Sequence, residues 1–244
     1  TDVAVVQRPR VGILSTGDEL CRVDEAPGGR IVDSNSWGLM GQVRAAGAVP
    51  IRLGFARDER GNIDRLLQAA ERCDVVLSSA GVSVGEKDFV RDALEAAGVT
   101  LRFWKVAIRP GKPLVFGTRG PRVFFGLPGN PVSSMVTFEQ FVRPALRRLM
   151  GHAEVRRPRL RAKLLAPVTK GAGLTHLLRA ETSLSAGGLE TRPLSKQGSG
   201  LVTSMAQANS FVVVPAEVTQ LAPGAEVEVE LFDGALGLSA VSCA

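Results

Sequence analysis

The chain has 244 residues, 45% hydrophobic and 22% charged, with 30 Lys and Arg against 24 Asp and Glu. That length holds one large or two ordinary domains whose cores need no disulfide staples. No apolar run reaches the roughly 18 residues of a membrane helix, which excludes a helical membrane span, and the opening residues give no sign of secretion.

The first 150 residues alternate strand and helix signals. Residues 10–15 (RVGILS) form an apolar run that stops at Thr16-Gly17. Asp33 to Ser36 supply helix caps, after which Leu39, Met40, Val43 and Ala46 recur at helical spacing. Gly47 ends that helix, residues 49–55 read as a strand, and Ile63, Leu66, Leu67 and Ala70 mark a second helix. Residues 74–79 (DVVLSS) form a nearly continuous apolar strand of the kind buried on both faces. A loop over 81–88 leads into a third helix marked by Phe89, Val90, Ala93, Leu94 and Ala97. Strands follow at 101–107, 114–116 and 123–125, and a long helix runs from Pro131 to about Met150. Such alternation requires crossovers that return the chain to the same sheet end. The expectation is an α/β domain over residues 8–150, a three-layer, doubly wound, mostly parallel sheet.

Beyond Gly151 the texture is all-β. Short extended runs at 159–165, 176–183, 188–193, 210–214 and 226–232 are separated by turns. Val227, Val229 and Leu231 alternate with Glu226, Glu228 and Glu230, the period of a strand with one wet face. A small barrel-like domain is expected over 155–233, followed by a tail at 234–244. The only dense basic run is Arg156, Arg157, Arg159, Arg161 and Lys163. It carries no aromatic, and the chain has no tyrosine, so stacking platforms for nucleic acid are scarce. A strand edge guarded by charge is the better reading. Cys21, Cys73 and Cys243 lack metal-ligand spacing and read as reduced thiols, which points to a cytoplasmic protein. A chain opening at Thr1 without methionine reads as part of a longer one.

Ligands of open α/β sheets gather at the carboxyl ends of the strands, where helix N-termini present N–H groups. Four segments fall there. Ser15-Thr16-Gly17-Asp18-Glu19 sets two carboxylates beside a turn, fit to hold a divalent cation or to cap a helix. Gly81 and Gly85 let backbone approach a ligand, with Ser83 and Asp88 nearby. Prolines bracket Gly111-Lys112 and stiffen a turn carrying Lys105, Arg109 and Lys112, suited to phosphate or oxyanion. Gly126 to Ser134 (GLPGNPVSS) runs into the last helix, with Asn130 at the cap, Pro131 in the first turn and Ser133 and Ser134 beside the free N–H groups. None matches a dinucleotide fingerprint or P-loop. Both histidines, His152 and His176, lie far in sequence from the serine loops and no G-x-S-x-G elbow is present, so a Ser-His-Asp triad is not expected.

STGDEL, IVDSN, GVSVGEKD, RPGKP and GLPGNPVSS, in this order, resemble the molybdopterin molybdotransferases, the molybdenum insertases that include bacterial MoeA proteins and the E domain of gephyrin. KQGSG and SMAQAN extend the likeness into the β region. Ala80 and Arg109 stand where that family usually has glycine and often lysine. The resemblance implies molybdenum cofactor biosynthesis, with molybdate inserted into adenylylated molybdopterin, AMP released and Mg2+ as the metal. It implies Asp18, Glu19 and Asp88 as metal ligands, and Asp33, Asp88 and Lys112 as catalytic residues, Asp33 orienting the attacking water or ligand. Thr16, Gly17, Gly81, Ser83, Lys105, Arg109, Gly129, Asn130 and Ser133 would bind substrate or anion. The implied partners are a second copy in the full-length protein, the molybdopterin adenylyltransferase and recipient molybdoenzymes, with no nucleic acid and no membrane. Two alternatives stay open, an ATP-dependent molybdopterin adenylyltransferase and a non-catalytic scaffold of the same fold.

Overall fold

The computed structural model describes residues 2–25, 28–56, 68, 71–79, 94–232 and 236. Contacts divide it into two compact units, Thr1–Val106 with Pro113–Arg156, and Ala107–Lys112 with Arg157–Ala244.

The first unit holds β1 (Arg10–Thr16), β2 (Leu20–Cys21), β3 (Ile31–Val32), α1 (Asn35–Ala45), β4 (Val49–Ala56), β5 (Val75–Ser79) and β6 (Thr100–Lys105). After β7 (Ile108–Arg109), which belongs to the second unit, come β8 (Pro113–Arg119), β9 (Arg122–Leu127), α2 (Pro131–Thr137), a π-helical turn (Phe138–Val142) and α3 (Arg143–Leu149). The main sheet has the order β4-β1-β5-β9-β8-β6. Neighbours from β4 to β9 are parallel, whereas β8 is antiparallel to both β9 and β6. The expected parallel sheet is thus confined to four strands. The tight turn between Arg119 and Arg122 leaves no room for a crossover helix, so β8 must reverse.

Burial follows strand alternation. Val11, Ile13, Val75, Leu77, Phe125 and Leu127 pack against Leu39, Val43, Phe138, Val142 and Leu146 of the helices on one face. Leu14, Val76 and Phe124 pack on the other face with Leu94, Ala97 and Val99. The helix expected over 131–150 is interrupted by its π turn, where the Arg143 N–H reaches back to the Phe138 carbonyl. Pro144 explains it: lacking an N–H and crowding the carbonyl four residues back, it favours a widened turn ahead of it. The helices expected around 63–70 and 89–97 lie outside the described residues, apart from short pieces.

The second unit contains β7, β10 (Arg159–Leu164), β11 (Val168–Thr169), β12 (Thr175–Ser185), β13 (Gly188–Pro193), α4 (Thr203–Gln207), β14 (Ser210–Val214), β15 (Gln220–Leu221) and β16 (Glu226–Leu231). The order β13-β10-β16-β14-β12, with β12 also paired to β13, closes a five-stranded barrel around Ala162, Leu164, Ala180, Val212, Val214, Val227 and Val229. β7 adds to β12 in parallel. Two members of the basic run are ion-paired: Arg159 reaches Glu228 at 2.9 Å and Glu230 at 3.1 Å, and Arg161 reaches Glu226 at 2.8 Å.

Candidate functional site at the strand ends of the first unit

β1 runs out into Ser15-Thr16-Gly17 at the carboxyl edge of the sheet. Ser79, the last residue of β5, is the parallel partner of Ser15. Its Oγ donates to Ser15 Oγ at 3.2 Å, and Ser15 Oγ donates in turn to Asp33 Oδ1 at 2.9 Å. Thr16 Oγ1 donates to the Ser79 carbonyl at 3.4 Å.

Asp33 is buried and collects further donors. The Ser36 N–H reaches Oδ1 at 3.1 Å, Ser36 Oγ reaches Oδ2 at 2.6 Å, and Arg52 Nη2 reaches Oδ2 at 3.3 Å. Arg52 Nε also donates to Ser36 Oγ at 3.1 Å, while its guanidinium lies 4.9 Å from the Trp37 ring centre. Ser34 occupies the helix cap position but makes no capping bond. Asp33 performs that task from one residue earlier, holding an N–H that α1 leaves unbonded. Its carboxylate therefore ties together β1, β4 and α1, and through Ser79 also β5.

The GLPGNP loop reaches the same edge. Asn35, the first residue of α1, donates from Nδ2 to the Gly129 carbonyl at 2.7 Å. Asn130 sits at the cap of α2 in an extended conformation without a side-chain capping bond, and Pro131 opens the helix. Ser133 and Ser134 are buried in its first turn. Among the described residues, Ser78 Oγ, Ser134 Oγ and Asn35 Oδ1 are buried atoms without a hydrogen-bond partner.

At the mouth of the edge, Gly17 has φ +140°, and a Cβ there would fall 2.6 Å from the Glu19 carboxyl carbon. Only glycine lets Glu19 fold back over the turn. Asp18 and Glu19 are exposed. Among the described residues no three His, Cys, Asp or Glu side chains gather as a metal cluster.

The structure thus brings Thr16, Gly17, Asp33, Gly129, Asn130 and Ser133 to one rim, with Asp18 and Glu19 at its lip. Gly81, Ser83 and Asp88 lie outside the described residues. The proline-bounded turn is not a connection of the first unit. Lys105 ends β6, exposed, with its Nζ 4.7 Å from the Trp104 ring centre, whereas Arg109 and Lys112 belong to the second unit. The reason is hydrogen bonding: the open edge of β12 accepts β7, and the Thr175 N–H donates to the Ala107 carbonyl at 3.0 Å. Ser36, Ser79, Asn35 and Arg52 are rim residues that sequence reasoning did not single out. Arg52 did leave a signal, being a charge inside the apolar strand VPIRLGF.

Comparison with known proteins supplies the context. Residues 12–148 match the family model described as a probable molybdopterin binding domain, and residues 161–232 match the MoeA C-terminal region (domain IV). The chain is 35% identical over 240 residues to a Haemophilus influenzae protein named molybdopterin molybdenumtransferase, covering 97% of this chain and 59% of that protein. A Nostoc protein of the same name is also 35% identical, with 93% and 54% covered. The crystal structure of a molybdopterin biosynthesis MoeA protein from Pyrococcus horikoshii superposes with a TM-score of 0.79 at 31% identity, over 93% of this chain and 55% of that one. The chain spans little more than half the length of these relatives.

Proposed function

The chain belongs to the molybdopterin-binding domain family, extended by the MoeA C-terminal region, and on that premise we propose that it carries out molybdenum insertion in cofactor biosynthesis. The substrates in this reading are adenylylated molybdopterin and molybdate; molybdenum passes to the dithiolene sulfurs and AMP leaves. The observation that carries it is the joining of α1 to the GLPGNP loop by the Asn35–Gly129 bond at the rim where Ser15, Ser79 and Asp33 meet.

A tetrahedral dianion such as molybdate suits hydroxyl and N–H donors, and Thr16, Asn130 and Ser133 would supply them. Gly17 and Gly129 would let the backbone approach the phosphates. Asp33 already accepts bonds from Ser15, Ser36 and Arg52, so its part would be to fix the Ser15–Gly17 turn rather than to take a proton. Mg2+ commonly takes one or two carboxylates and completes its shell with water and phosphate oxygens. The adjacent exposed pair Asp18 and Glu19 fits that requirement, and Asp88 would join them. Bound there, the cation would neutralise charge on the pyrophosphate. Lys105 would add positive charge for the leaving phosphate. Gly81 and Ser83 complete the proposed donor set. A homodimer of the full-length protein in the cytoplasm, meeting the adenylyltransferase and the recipient molybdoenzymes, rounds out the reading.

The test is AMP release from adenylylated molybdopterin in the presence of molybdate and Mg2+. Release that depends on molybdate is expected, falling at least tenfold in Glu19→Gln. Consumption of ATP without AMP release from the adenylylated substrate would point instead to an adenylyltransferase, and undiminished release by Glu19→Gln would remove that residue from the metal site.

A further inference from the structure

A second concave site lies on the barrel, and none of its residues belongs to the rim described above. It is a cleft of about 580 Å3, lined by Val168, Leu178 and Leu194 among its apolar residues and by His176, Glu181 and Arg192 among its polar ones. That size falls in the range of small-molecule sites, which are mostly apolar, carry a few polar groups and favour the mouths of barrels.

The charges around it are arranged by the strands. Glu181 of β12 stands opposite Arg192 of β13, yet among the described residues neither has an ion pair or a side-chain hydrogen bond. His176 is paired in register with Arg109 of β7, and its imidazole likewise has no hydrogen-bond partner among the described residues. Lys170 is a fixed cation, its Nζ donating to the carbonyls of Gly171, Leu174 and Ala216 at 3.3, 3.0 and 3.1 Å. Burial, then Lys170, then Arg109 hold the His176 pKa below its ordinary value. At neutral pH the ring is therefore uncharged and keeps one N–H to donate. Arg192 and Glu181 line the cleft opposite one another, and Lys170 and Arg109 add positive charge beside His176. An oxyanion finds both positive charge and a donor here.

We propose that this cleft binds a small molecule bearing one oxyanion, a carboxylate or a phosphate, on a flat apolar body. Arg192 takes the charge, the His176 N–H donates to an oxyanion oxygen, and the ring of the ligand lies on Leu178 and Leu194. The proposal stands apart from the molybdopterin reading, because the residues that would hold the ligand, His176, Leu178, Arg192 and Leu194, have no part in that reading, and it needs neither molybdate nor pterin.

The chain has two histidines, His152 and His176, which makes proton NMR of the imidazoles a direct probe. The 244-residue chain is titrated with benzoate, phenyl phosphate and neutral benzamide, with His176→Gln used to assign the resonances. Saturable movement of the His176 signal by benzoate, phenyl phosphate or both is expected, with His152 still and benzamide at least tenfold weaker; whichever anion binds tighter identifies the oxyanion. Binding raises the His176 pKa, weakens at least tenfold in Arg192→Gln and tightens in Glu181→Gln. Arg192 is exposed, so its replacement leaves the barrel core intact. The proposal is overturned if neither anion saturates, if benzamide binds equally well, if both histidines move together, or if Arg192→Gln binds as the parent does.

Discussion

Asp33 illustrates what one buried carboxylate does when four donors converge on it. Ser15, the Ser36 N–H and hydroxyl, and Arg52 all reach it, so removing it leaves the buried Ser15 and Ser36 hydroxyls without their acceptor, takes an ion-pair partner from Arg52 and uncaps α1. Asp33→Ala is expected to lower stability by about 3 kcal/mol, read as a lower urea midpoint at unchanged slope. The DSN stretch announced a cap, but the sequence could not show that Ser79 and Arg52 share it. Ser79 is 64 residues from its partner Ser15, and only the strand order places them side by side. His176 supports a second prediction. Because its folded-state pKa is depressed, chiefly by burial, the unfolded chain binds its proton more readily. Its contribution to stability is present above the ordinary histidine pKa of about 6.5 and is lost as pH falls through the lowered folded-state value. His176→Gln should flatten the decline in melting temperature between pH 7 and 5; an unchanged decline would assign it to other groups.

At the scale of elements, β12 is held by two side chains that imitate neighbouring strands. Gln197 accepts from the Arg179 N–H at 3.1 Å and donates to the Arg179 carbonyl at 2.9 Å. Asn209 treats Thr182 the same way, with both bonds at 2.8 Å. A carboxamide presents one acceptor and one donor like a peptide unit, so each residue fills a gap where β12 changes partners. Gln197 and Asn209 lie in the KQGSG and SMAQAN segments, which carried the family likeness but showed nothing of these strand-like bonds. Asn209→Ala should cost about 1–3 kcal/mol and speed hydrogen exchange at the Thr182 amide, while amides inside β14 keep their protection. Equal exchange at Thr182 would show that the imitation contributes little. Strand positions were legible from apolar runs and alternation, to within a residue or two in most cases. Reversal at β8, the π turn before Pro144 and the attachment of β7 to β12 were not, since each depends on where neighbouring elements lie.

Across the whole molecule, the division of labour follows composition. Among the described residues the α/β unit gathers the turns after β1 and β9 and the start of α1 at one strand edge, while the barrel pairs Arg159 and Arg161 of its basic run with the glutamates of β16. That pairing explains why a net charge of +6 leaves no basic stripe on β10 of the kind that nucleic acid would follow. Which loops meet was legible because parallel strands must all end on one side; which of their side chains touch was not. In the proposed function the turns of β1, α1 and the GLPGNP loop act as one binding surface. Hydrogen exchange with and without adenylylated molybdopterin and molybdate tests it most directly. Amides within residues 15–20, 33–36 and 127–134 are expected to gain protection together, whereas protection of only one of these stretches, or of none, would contradict the claim.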